Sequence, residues 1–259
     1  MQLETIHFGT PIPERSPLLF IHGAYCGAWV WERHFIPFFE SKGWYGIAVS
    51  LRGHGQSEGL NTLDMLGIQD FVDDVERVAL GFPSPPIVIG HSMGGMIAQL
   101  LAVRCPLTAM ALLVSVPPHG LASAAQQMWL QAPSFLTQMG AALSLGGWAI
   151  NPAMVSDKLF SLDTPSWVRS RYLSQFQRES SRAAFEIMIP QLLVPPLPLP
   201  PTLVMGGDQD PFIPRREIEL TGLFWGTEAH IIPELPHAMM LDERWEQAAE
   251  PIAQWLDGL

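Results

Sequence analysis

The stretch GHSMGG, residues 90–95, holds one serine between glycines. The apolar run PPIVI (85–89) before it has the length of a buried strand, and MIAQLLAVRC (96–105) after it reads as a helix. A G-x-S-x-G motif on a strand-to-helix turn is the setting that presents its serine as a nucleophile. So tight a turn strains the serine backbone and leaves no room for bulky side chains two residues to either side. Gly90 and Gly94 meet that demand, and Gly95 lets the following helix approach the sheet.

Outward from this turn the chain alternates short apolar runs with longer segments of helical period, the pattern of a mostly parallel sheet covered by helices. PLLFIHG (17–23) reads as a buried strand, WERHFIPFFESKG (31–43) as a helix, and WYGIAVSLRGHG (44–55) as a strand entering a glycine-rich loop. One helix is expected over 62–82 with Thr62 as N-cap, and a strand over 109–116. From 117 to 201 no strand-like run occurs. There Met128, Trp129, Met139, Trp148, Met154, Trp167, Tyr172 and Phe176 recur at helical spacing, up to the proline-rich VPPLPLPP (194–201). The alternation resumes at 202 with TLVMGG, a helix, the strand EAHIIPE and a terminal helix. The expected organisation is a core of residues 1–116 and 202–259 with a helical cap inserted over 117–201.

Composition narrows the function classes. The 259 residues carry 14 basic and 25 acidic side chains, a formal charge of -11, which repels phosphate backbones and anionic lipid surfaces. Nucleic acid is therefore not an expected partner. Cys26 and Cys105 stand far apart and in no metal-ligand spacing, so reduced thiols and no metal are expected. HGAYCG (22–27) lacks both glycine-rich nucleotide-binding spacings, and no cofactor is expected. No apolar stretch reaches about 18 residues and the N-terminal residues do not resemble a signal peptide, so the expectation is a cytoplasmic protein without membrane insertion.

A serine hydroxyl needs a base and an orienting acid to attack. The loop GDQDPFIP after the strand at 202 offers Asp208 and Asp210. Asp210, at the loop tip before Pro211, is favoured as the acid, with Asp208 as a turn or hydrogen-bonding residue. LPHAMML places His237 after the last strand and before the last helix, where a base is needed. Acyl chemistry also needs N–H donors for the developing oxyanion. Met93 at the helix start and Ala24 in the loop after the first buried strand are the candidates.

HGAYCGAW, LRGHGQSEG, GHSMGG and the two loops around Asp210 and His237 occur in the order found in the α/β-hydrolase superfamily, which this chain resembles over about residues 15–257. The resemblance implies a mainly parallel eight-stranded sheet flanked by helices, with a helical cap after the sixth strand. It carries nucleophile, acid and base onto Ser92, Asp210 and His237, and the oxyanion donors onto Ala24 and Met93. In LRGHGQSEG it gives His54 and Ser57 a part in shaping the turn. Serine at the nucleophile position separates the chain from the dehalogenases and epoxide hydrolases of the superfamily, which carry aspartate there.

The cap roofs the pocket in this architecture, and its methionines and tryptophans suggest an apolar, adaptable cavity. Trp129 and Trp148 from the cap and Tyr25 and Cys26 beside the oxyanion loop are the expected pocket residues. The cap arginines Arg169, Arg171, Arg178 and Arg182 are expected on a solvated face. The expected function is a serine carboxylesterase acting on a small to medium hydrophobic ester through an acyl-enzyme. The same triad also suits a carbon–carbon bond hydrolase or a hydroxynitrile-lyase-like enzyme, and a noncatalytic small-molecule binder is the reading from a different class.

Overall fold

Leu18–Ile21 (β2), Ile87–His91 (β4) and Ala109–Leu113 (β5) are apolar on both faces, and each forms a strand buried along its whole length. The computed structural model describes residues 1–131, 152–208 and 210–259, without the side chains of 127–131 and 152–154. Its sheet has the order β1-β3-β2-β4-β5-β6-β7. The remaining strands are β1 (Thr5–Phe8), β3 (Gly46–Val49), β6 (Thr202–Gly207) and β7 (Ala229–Ile232). All neighbours are parallel except β1, which pairs antiparallel with β3 in the register Thr5 to Val49.

The described residues therefore form seven strands where eight were expected. One of the seven, Thr5–Phe8, is not announced by any apolar run, since TIHF is short and only half apolar, and it supplies the antiparallel edge of the sheet.

Two helices also differ from expectation. The segment 31–43 divides into α1 (Trp29–Glu32) and α2 (Phe35–Ser41), because His34 leaves helical geometry at φ −126° and ψ −57°. The break lets Trp31, Phe35 and Phe39 all pack on Phe20 of β2, with ring centroids 4.9–6.4 Å away. The segment 62–82 is a 3-10 turn over Leu60–Met65 followed by α3 (Ile68–Leu80). Gly67, extended at ψ 175°, is the N-cap in place of Thr62, and its N–H donates to the Asp70 carboxylate at 2.8 Å. The Thr62 hydroxyl instead donates back to Gly59 O.

Helix α4 (Met93–Arg104) follows β4 directly and is almost wholly buried, packing on α3 and on the sheet. Between β5 and β6 the described residues contain no strand. They form α5 (Ala122–Gln131), α6 (Pro152–Leu159), α7 (Ser166–Leu173) and α8 (Ser181–Glu186). After β6 come α9 (Arg215–Phe224), β7 and α10 (Glu246–Asp257). Every loop that carries a candidate site residue leaves the C-terminal end of a parallel strand, the edge where open α/β sheets bind ligands. Among the described residues no helix is long and apolar enough to cross a membrane.

Candidate active site

Ser92 sits between β4 and α4 at φ 54° and ψ −117°, a conformation that a non-glycine residue holds only where its surroundings impose it. The surroundings here are backbone. Ser92 N–H donates to Leu113 O at 3.0 Å, and Val116 N–H donates to Ser92 O at 3.1 Å, so the end of β5 and the residues just after it hold the turn through both backbone groups. The glycines are there for space: a Cβ on Gly94 would stand 2.5 Å from His22 O, and one on Gly90 would collide with Gly94 O. Both obstacles are backbone and cannot rotate away. Gly94→Ala is accordingly expected to lower the unfolding free energy by about 3 kcal/mol, the upper range for overpacking a core. Urea unfolding monitored by tryptophan fluorescence measures it, and an unchanged midpoint would contradict this account of the elbow.

The loop after β6 brings Asp210 to the loop after β7. Asp210 is buried, its Oδ2 lies 2.6 Å from His237 Nδ1, and its Oδ1 accepts the N–H groups of Phe212 (2.7 Å) and Ile213 (3.1 Å). One oxygen is thus used to hold the loop and the other to orient the imidazole. With Nδ1–H donating to the carboxylate, Nε2 is the nitrogen free to take a proton. Asp208 serves as a hydrogen-bonding residue: its Oδ1 accepts Glu234 N–H at 2.7 Å and ties its loop to the one after β7. His91 Nε2–H donates to the His237 carbonyl at 2.9 Å, a tie between the residue before Ser92 and the His237 loop that no sequence spacing announced.

Ser92 and His237 line one cavity of about 550 Å³, within the range of small-ligand sites. Its floor is the strand edge, with Ala24, Tyr25, Cys26, His91 and Phe212 alongside Ser92 and His237. The opposite wall comes from the segment between β5 and β6, chiefly Val155, Leu159, Leu173, Phe176, Ile187 and Met188. Tyr25 and Cys26 therefore stand in the cavity, and Met93 N–H opens α4 directly after Ser92. Trp167 does not: it is 66% exposed on α7, turned away from the cavity by its position on that helix. Trp148 and Met139 lie outside the described residues, as do the side chains of Met128, Trp129 and Met154. Two of the cap arginines are not simply solvated. Arg169 is largely covered and paired with Asp157, and Arg178 reaches the cavity wall but places its guanidinium on Asp64. Among the described residues no cluster of three His, Cys, Asp or Glu could hold a metal ion.

Three buried histidines surround these loops with opposite electrostatic character. His22 accepts Leu51 N–H at Nε2 and donates from Nδ1 to Gly23 O, and burial, then the neighbouring His54, lowers its pKa to about 3. Burial, then His237, likewise lowers His91. His54 also suffers burial, but the charge and hydrogen bond of Glu179 outweigh it and raise its pKa. The unfolded chain binds protons on His22 and His91 below about pH 6.5 while the folded chain does not, so stability falls as pH drops from 6.5. Each fully buried group contributes up to about 1.4 kcal/mol per pH unit. His54 acts in the opposite sense, its contribution being complete below pH 6.5 and lost as pH rises through its raised value. Melting temperature is expected to fall from pH 6.5 to pH 5, and a flat or rising profile would refute the assignment of two neutral buried histidines.

A parallel sheet with a strained serine at a strand-to-helix turn and a carboxylate–imidazole pair at the same edge defines the hydrolase class of α/β folds. The sequence profile of the Alpha/beta hydrolase family matches residues 18–251, and the chain belongs to that family. Mouse epoxide hydrolase 4 is 34% identical over 106 residues, 40% of this chain and 29% of that protein. The match thus spans less than a third of that relative's length. Among solved structures, an esterase from Exiguobacterium antarcticum superposes with a TM-score of 0.73 at 17% identity, covering 98% of this chain and 94% of that one. A monoacylglycerol lipase from Paleococcus ferrophilus gives 0.70 at 18% identity, over 99% and 98% of the two chains. At such identities the likeness is one of fold.

Proposed function

We propose that the protein is a serine carboxylester hydrolase whose nucleophile, base and acid are Ser92, His237 and Asp210. The observation that carries this reading is the oriented His237–Asp210 pair on the wall of the cavity that also holds the strained Ser92. His237 Nε2 takes the Ser92 proton as Oγ bonds to the ester carbonyl carbon, and the oxyanion forms against the N–H groups of Ala24 and Met93. The imidazolium, stabilised by Asp210, hands the proton to the leaving alcohol and an acyl-enzyme remains. Water then gives a proton to His237 as its oxygen bonds to the acyl carbon, and the bond from that carbon to Ser92 Oγ breaks as His237 returns the proton to Oγ, releasing the acid.

The lining of the cavity supports a hydrophobic substrate. Apolar side chains cover most of a volume suited to a small or medium ester, with the segment 152–188 acting as a cap over the strand edge. A serine at the elbow supports acyl transfer rather than the aspartate-based opening of epoxides, although a named epoxide hydrolase is among the relatives. Turnover of p-nitrophenyl esters, together with covalent labelling by a fluorophosphonate, tests the proposal. Absence of both from the folded wild-type protein would overturn it.

A further inference from the structure

The stretch Gln177–Glu179, between α7 and α8, meets two loops of the sheet edge at once. Gln177 N–H donates to Tyr25 O at 2.8 Å, and Tyr25 N–H donates to Glu179 Oε2 at 3.1 Å. Both backbone groups of Tyr25 therefore end on this stretch. On its other side Gly55 N–H donates to Gln177 Oε1 at 2.6 Å, and His54 Nε2–H donates to Glu179 Oε2 at 3.1 Å. The remaining oxygen of Glu179 accepts Ser180 N–H at 2.7 Å. The carboxylate is 1% exposed, so these donors and the charge of His54 replace the water it has lost.

Tyr25 needs such a partner. It stands at φ 64°, the left-handed region, with a full side chain and no glycine to ease it. It also follows Ala24 directly, and the Ala24 carbonyl and Tyr25 N–H move as one planar unit. The Tyr25 N–H, next in the chain after the proposed oxyanion donor Ala24 N–H, is taken up by Glu179. Holding the Tyr25 peptide in this way also holds Ala24, which shares that planar unit, and so the N–H proposed as an oxyanion donor. The geometry points to Glu179 as a positioning residue for the oxyanion loop, acting through Tyr25 N–H, its two carboxylate oxygens being occupied by Tyr25, His54 and Ser180. The inference rests on the ester-hydrolase reading and adds a control point 154 residues from the loop it holds.

Glu179 also acts on the titratable groups packed around it. His54, on the loop after β3, is raised despite its burial. The Tyr25 phenol and Cys26 thiol are both pushed up, first by burial and then by Glu179. His22, whose ring centroid lies 5.3 Å from that of His54, is neutral and adds no competing charge.

Glu179→Leu keeps the volume and removes the acceptor, Glu179→Ala removes both, and Glu179→Gln keeps an oxygen for Tyr25 N–H. The expected result for Glu179→Leu is a kcat for p-nitrophenyl butyrate lower by about 10²-fold, the effect of misplacing one donor, with KM changed by less than about threefold. Affinity for an alkyl trifluoromethyl ketone, which forms the oxyanion on Ser92, should fall by the same factor as kcat/KM. Glu179→Gln should recover kcat to within about tenfold of wild type. If Glu179→Leu does not fold, Glu179→Ala carries the same comparison. An unchanged kcat in a folded Glu179→Leu or Glu179→Ala protein overturns the inference, as does a loss that falls on KM alone or that Glu179→Gln does not repair. A wild type lacking both ester turnover and fluorophosphonate labelling instead overturns the ester-hydrolase reading, and the inference with it.

Discussion

Ser92→Ala is expected to reduce ester turnover by at least about 10⁴-fold and to abolish fluorophosphonate labelling, while the folded protein persists. The loss is large because no other nucleophile stands at the elbow, and activity that survives comes only from binding and the oxyanion donors. Cys26 lines the same cavity, but burial and then Glu179 push its thiol well above the usual range, so it does not supply a thiolate in place of the serine. Stability should hardly change. Alanine keeps the Cβ and the strained φ of 54°, and the backbone bonds to Leu113 and Val116 do not involve the hydroxyl. Circular dichroism melts and a p-nitrophenyl ester assay on the same preparation decide the matter, and substantial remaining turnover would sink the assignment of Ser92.

Asp210→Asn is expected to lower kcat by about 10³–10⁴-fold with little effect on stability. The two oxygens of Asp210 have separate tasks. Oδ1 accepts the N–H groups of Phe212 and Ile213, so an asparagine retains its carbonyl oxygen there and turns its amide nitrogen toward His237. An N–H group facing Nδ1 makes that nitrogen an acceptor and moves the imidazole proton to Nε2, where it blocks removal of the serine proton. The imidazolium formed in the reaction also loses its counter-charge. Stability is preserved because the loop bonds survive. A variant whose kcat stays within tenfold of wild type would show that Asp210 does not orient the base.

Glu179 marks the limit of what a linear reading reaches. Ser92, Asp210 and His237 are legible because each lies next to a strand signal and in a recognisable local pattern: glycines around the serine, prolines after the acid, a short loop before the last helix. Glu179 lies in a segment without strands or motifs, and its partners Tyr25 and His54 are 154 and 125 residues away. Nothing in QRESS (177–181) distinguishes its carboxylate from a solvated one. The same applies to His91, whose bond to the His237 carbonyl spans 146 residues. Trp167 shows the opposite failure. Its residue type suggested a cavity wall, but the turn of α7 leaves it in solvent, and Leu173 and Phe176 from the same region line the cavity instead.

Local backbone and steric demands are written into neighbouring residues. By itself the sequence therefore determined the alternation of strands and helices, the strained turn at Ser92 and the order of Asp210 and His237 along the chain. Pairing across the chain depends on where distant backbones meet. Only the tertiary structure decided that Thr5–Phe8 joins the sheet as its antiparallel edge, that Gly67 rather than Thr62 starts α3, and that both backbone groups of Tyr25 are held from Gln177–Glu179. A carboxylate acquires its role from the donors that surround it once water is excluded, and those donors are assembled only by the fold.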